Sequence, residues 1–87
     1  MEVSVKEGLF VVKAYPNPTE HQFTLIVNSH LSEKIEIQLY DAVGRKIQTL
    51  NANANETIRF GEKLKTGVYI AKVIQGNKKE SIKLIKQ

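Results

Sequence analysis

Side chains able to do chemistry are sparse in these 87 residues, and they stand apart. The two histidines, His21 and His30, each lack a second His, Asp or Glu at the i+2 or i+4 spacing that builds a metal site. Glu20 precedes His21, but adjacent residues of a strand point to opposite faces. Ser29, Ser32 and Ser81 lie in no GxSxG elbow, so nucleophilic catalysis has no foothold. Glu33 with Glu36, or Glu56 with Glu62, would need a cleft to split their pKa values, and a chain this short leaves little room for a pocket of about 300 Å³. Five glycines fall one per turn and form no phosphate cradle. Without cysteine there is neither a disulfide framework nor a thiolate metal site. No enzyme activity and no cofactor are expected.

Charge is the next candidate. The formal net charge is +4, yet residues 1–62 carry six Lys or Arg against eight Asp or Glu. Residues 63–87 carry seven lysines against Glu80 alone. Such asymmetry suits an anionic partner or a surface read by a receptor, with a solvated lysine face as the plainer alternative. Single-stranded nucleic acid would call for aromatic platforms among the cations. Only Tyr69 lies among these lysines and no arginine does, so nucleic acid is not an expected partner. Asn55-Glu56-Thr57 matches a glycosylation sequon, a pattern short enough to arise by chance.

The elements that would position these groups are strands. Phe10, Val12 and Ala14 alternate with Val11 and Lys13; Phe23, Leu25 and Val27 with Thr24, Ile26 and Asn28; Ile35, Ile37 and Leu39 with Glu36, Gln38 and Tyr40. Asp41 to Gly44 reads as a tight turn, followed by a strand near Lys46–Leu50 and a short one through Ile58 and Phe60. GEKLKTG, 61–67, is a loop bracketed by glycines. Val68–Gln75, apolar on both faces apart from Lys72 and Gln75, reads as a central strand covered on both sides. Gly76-Asn77-Lys78 is a hairpin turn, and Lys79–Lys86 pairs back, with Ile82 and Leu84 set against Val73 and Ala71. About seven strands at this spacing predict an all-β, immunoglobulin-like antiparallel sandwich over 9–87, with 1–8 as the remnant of a linker. MEVSVKEGLF is no signal peptide, having no basic stretch followed by an apolar core. YPNPT, 15–19, is a stiff bend between the first two strands, since Pro16 and Pro18 lack amide protons and hold their predecessors extended. Its expected role is to block strand addition at an edge.

Taken together, YPNPT followed by Phe23, the turn Asp41–Arg45, GEKLKTGVYIAKVIQG and the closing ESIKLIKQ resemble the type A C-terminal sorting domain of the type IX (Por) secretion system of Bacteroidota. The resemblance runs from about Val12 to Gln87. It implies a β-sandwich at the end of an exported cargo protein, recognised in the periplasm by the translocon. It also implies removal at the cell surface by a sortase-like protease, many cargoes then being joined to anionic lipopolysaccharide. Pro16, Asn17 and Pro18 match the family's early motif, Asp41 and Gly44 its central turn, Gly67 and Tyr69 its GxY strand start, Gly76 its hairpin glycine, and Lys83 and Lys86 its basic closing strand. Gln87 after Lys86 departs slightly from that pattern. Most of these are expected to be structural, Tyr69 as a core aromatic with its hydroxyl at the rim. Recognition is assigned to Lys79, Lys83 and Lys86, expected to project freely from the last strand. A monomer or weak dimer is expected, since an open sandwich leaves strand edges. The competing reading is an adhesion or carbohydrate-binding sandwich, which would need a row of exposed aromatic rings.

Overall fold

The computed structural model describes residues 10–87, so the expected linker over 1–8 lies outside the described residues. Seven strands form: β1 (Phe10–Tyr15), β2 (Phe23–Ser29), β3 (Ile35–Tyr40), β4 (Lys46–Ala52), β5 (Thr57–Phe60), β6 (Gly67–Gln75) and β7 (Lys78–Lys86). They pair antiparallel in a three-stranded sheet, β1-β2-β5, and a four-stranded sheet, β4-β3-β6-β7. The result is the expected β-sandwich.

Alternation decides which face each strand buries. Phe23, Leu25 and Val27 of β2 face Ile35, Ile37 and Leu39 of β3 across the sandwich, and Tyr69, Ala71, Val73 and Leu84 complete the core from β6 and β7. Phe60 closes one end beside Phe23, with ring centroids 5.7 Å apart and the planes tilted by 32°. Gly61 follows directly, at φ +91°, and a Cβ there would stand 2.9 Å from the Phe23 ring. Both its backbone sign and the close ring require glycine at that point. Among the described residues, Gln75 is the most deeply buried polar side chain. Gln75, fully buried, takes a hydrogen bond from the Ser29 hydroxyl and donates to the carbonyls of Leu31 (3.1 Å) and Glu33 (2.7 Å). Its amide is thereby satisfied and pins the β2–β3 connection.

Two sequence expectations are corrected. β6 is central within its sheet, but among the described residues the only layer packed on that sheet lies against its inner face. The outer face of β6 carries Ile70, Lys72 and Ile74 half-buried and Val68 41% exposed. β-branched side chains are at home on a pleated surface even when one side is wet, and this is why the sequence resembled a doubly covered strand. The last hairpin has a two-residue turn, Gly76-Asn77, which pairs Gln75 with Lys78. Leu84 therefore lies opposite Tyr69 and Ile82 opposite Ala71, two residues from the expected register. A shift of two preserves the face, so the inward set is as expected.

Ile37 is fully buried in the middle of β3, between β4 and β6. Ile37→Ala should cost about 3 kcal/mol through lost transfer energy and the cavity left behind. Urea unfolding checks this, and a loss below about 1 kcal/mol would mean the core collapses around the gap.

Candidate functional site: the last strand and the elements that hold it

β7 is an edge strand, with β6 on one side only. Most of what the sequence singled out gathers at its far end. The YPNPT segment runs alongside that edge, both X-Pro bonds being cis. The Asn17 side chain behaves as a strand residue would: its Nδ2 donates to the Lys83 carbonyl (2.8 Å) and its Oδ1 accepts from the Ile85 amide (2.9 Å). Thr19 continues the contact through its backbone, its N–H donating to the Ile85 carbonyl (3.0 Å) and its carbonyl accepting from the Gln87 amide (2.8 Å). Four hydrogen bonds thus cap the outer edge of β7 from Lys83 onward. The Thr19 hydroxyl, buried, receives the His21 amide (3.2 Å) and donates to the Gln22 carbonyl (3.1 Å), which fixes the turn. YPNPT therefore lies where another strand would add to the end of β7. That Asn17 fills this place with its side chain was not foreseen, although a side-chain amide carries a donor and an acceptor on separate atoms, as a backbone peptide does.

The 61–67 loop grips the same end from inside. Lys86 shares its face with Ile82 and Leu84 and is 4% exposed. Its ammonium donates to the carbonyls of Gly61 (2.5 Å) and Glu62 (3.1 Å). The expectation that Lys86 projects freely is therefore wrong. The physical reason is the two-residue period of a strand, which places residues 82, 84 and 86 on one side; the lysine stem crosses apolar ground and its charge is met by carbonyls. Lys79 and Lys83 point the other way, exposed on the outer face opposite Ile74 and Ile70. Of the three lysines, these two share the outer face, four residues apart along β7, and the third lies on the inner face.

The remaining matched residues lie at turns and at the start of β6. Gly67 opens β6 opposite Lys86, and Tyr69 is buried with its hydroxyl donating to the Lys65 carbonyl (2.7 Å). Gly76 turns the hairpin at φ +60°. In the β3–β4 turn, the Gly44 amide donates to the Asp41 carbonyl (3.0 Å). The Asp41 carboxylate accepts from the amides of Val43 (3.1 Å) and Arg45 (2.9 Å) and from the Arg45 guanidinium (2.9 Å). The Arg45 backbone hydrogen bond, first among these causes, holds the Asp41 carboxyl below its ordinary value. His21 and His30 are exposed, and no group of metal-ligating side chains occurs among the described residues. Two shallow clefts, of about 290 and 350 Å³, are more space than the chain length suggested, but no histidine lines either. Among the aromatic residues only Tyr15 is exposed, so the row of rings that a carbohydrate platform needs does not exist.

The model of the secretion system C-terminal sorting domain, the Por secretion tail, matches residues 13–87. The chain belongs to this family. Among curated proteins none matches it. The domain is a C-terminal sorting domain of the Por (type IX) secretion system, a non-catalytic secretion signal for cargo proteins. Membership implies an attached cargo, contact with the type IX machinery, and export through it.

Two outcomes follow from this geometry. Asn17→Ala removes both bonds to β7 and should cost about 1–2 kcal/mol, with amide exchange at Ile85 accelerating far more than at Val73 in the sheet centre. Uniform acceleration across β6 and β7 would show that Asn17 supports the whole sheet and not the strand end. Asp41 has a lowered folded pKa, so its contribution is present above the ordinary carboxylate value of 3.8 and is lost as pH falls through the depressed one. The Val43 and Arg45 amide resonances should titrate with a midpoint below 3.8, and Asp41→Asn should abolish that titration. A midpoint at or above that value would contradict the hydrogen-bond assignment.

Proposed function

We propose that the type IX machinery reads the last strand of the folded domain, with Lys79 and Lys83 as its charged contacts. One observation carries this reading. The YPNPT segment and the 61–67 loop both grip the end of β7, while these two lysines stay exposed on its outer face. A strand held on its edge and on its inner face presents what remains at little conformational cost to a receptor. Lys86, whose ammonium is bound to Gly61 and Glu62, anchors the strand and takes no part in recognition.

The partners are the translocon, which meets the domain in the periplasm, and a sortase-like protease, which removes it at the cell surface. The cargo precedes the domain in the full protein and ends at the surface or in the medium. The domain itself is a monomer or a weak dimer. Each exposed lysine contact with an acidic receptor is worth about 0.5–1 kcal/mol.

A reporter carrying residues 1–87 at its C-terminus tests the reading in a cell with a type IX system. Lys79→Ala with Lys83→Ala should leave the thermal midpoint unchanged and hold the reporter in the periplasm. Deleting residues 81–87 should block export and also destabilise the domain. Normal export of the lysine variant alongside failure of the deletion would transfer recognition to the strand backbone.

A further inference from the structure

The β3–β4 turn and the start of β6 enclose a cleft of about 290 Å³, lined among others by Asp41, Val43, Arg45, Lys65, Val68 and Tyr69. Nothing in the reading of the last strand uses it. Val43, on its rim, is 76% exposed, and Val68 is 41% exposed. Val43 occupies the third position of a tight turn, where Asn, Asp, Ser or Gly would satisfy the backbone better. A β-branched side chain there gains no packing within the domain. A local preference broken without return inside the fold is what a contact surface leaves behind.

The rest of the cleft suits an apolar side chain. Its volume falls at the lower edge of small-ligand pockets, and it is open. Tyr69 spends its hydroxyl on the Lys65 carbonyl and so offers mainly its ring. The turn is held by the Asp41 hydrogen bonds to Val43 and Arg45, so the rim is formed in advance. The same bonds commit the Asp41 carboxylate, and Arg45 is tied to it. Lys65 has no ion pair among the described residues. A second copy docked cleft to cleft about a two-fold axis would bring like charges, Lys65 and Lys65, to the same interface. The charge left over fits a carboxylate from another protein.

We propose that this cleft docks one apolar side chain of a protein of the export machinery, with a neighbouring carboxylate of that protein paired to Lys65. The inference rests on the reading that the folded domain is what the machinery recognises, and it adds a second contact independent of Lys79 and Lys83.

Val43→Asn with Val68→Thr keeps turn and strand preferences while removing the apolar rim. In the reporter fusion this variant should unfold at the same temperature as the parent and be exported at least about tenfold more slowly, the loss expected of a central contact. Lys65→Glu should slow export to a similar degree, with Lys65→Arg exported as the parent. Export of the valine variant at the parental rate overturns the proposal, whatever Lys79→Ala with Lys83→Ala does. Conversely, a slow valine variant beside a normally exported lysine variant retains the cleft and rejects the charged strand. Light scattering closes the remaining route: a parent dimer that the valine variant converts to monomer would assign the cleft to a second copy and overturn the partner named here.

Discussion

An edge strand must have its outer hydrogen-bonding groups either paired or wet, and in this domain the arrangement of β7 follows from how that requirement is met. Two prolines cannot donate, yet the asparagine between them can both donate and accept, so Asn17 takes a strand's place without being one. Thr19 carries the pairing two residues further through its backbone. The three-stranded and four-stranded sheets are thereby stitched along one side, β1 to β7, by a segment too proline-rich to become a strand and recruit another chain. The same feature covers the outer edge of β7 from Lys83 onward.

A buried ammonium is the second constraint. Lys86 brings a positive charge to a site 4% exposed and finds carbonyls there, with no carboxylate paired to it among the described residues. Carbonyl dipoles can hold a cation of this kind only if the loop that supplies them is correctly folded, which couples the 61–67 loop to the end of β7. Gly61 is central to that coupling, because its left-handed backbone and the Phe23 ring beside it leave space for no side chain. Basic residues near the end of a strand thus serve two unlike purposes. Lys79 and Lys83 hold charge out; Lys86 draws the strand in.

Much of this was legible from alternation. β2 and β3 show an uninterrupted two-residue period, with turn chemistry at Asp41–Gly44 and Gly76-Asn77 marking their neighbours, and the inward set of the core follows residue by residue. What misled was chemical type overriding position. Lys86 lies two residues after Leu84 and shares its face, but a lysine suggests water. β6 suggested two covering layers because Ile70 and Ile74 are apolar, though only their inner neighbours Ala71 and Val73 are sealed. The Asn17 clasp was hidden for another reason. It joins residues 66 and 68 positions apart, and no local pattern reports on a contact of that span.

That span sets an order of events. β1 to β6 can form their pairings as soon as their own residues are available, but the clasp has no partner until Lys83 and Ile85 arrive. Contacts closing so long a loop are the late ones in folding, since their entropy cost precedes any return. A chain that stops short of Lys83 would leave Asn17 without its partners, the 61–67 carbonyls without their cation, and the first four residues of β6, 67–70, unpaired on that side. The fold of the whole domain is therefore buckled by its last residues, and a domain lacking them would be left unfastened at one end.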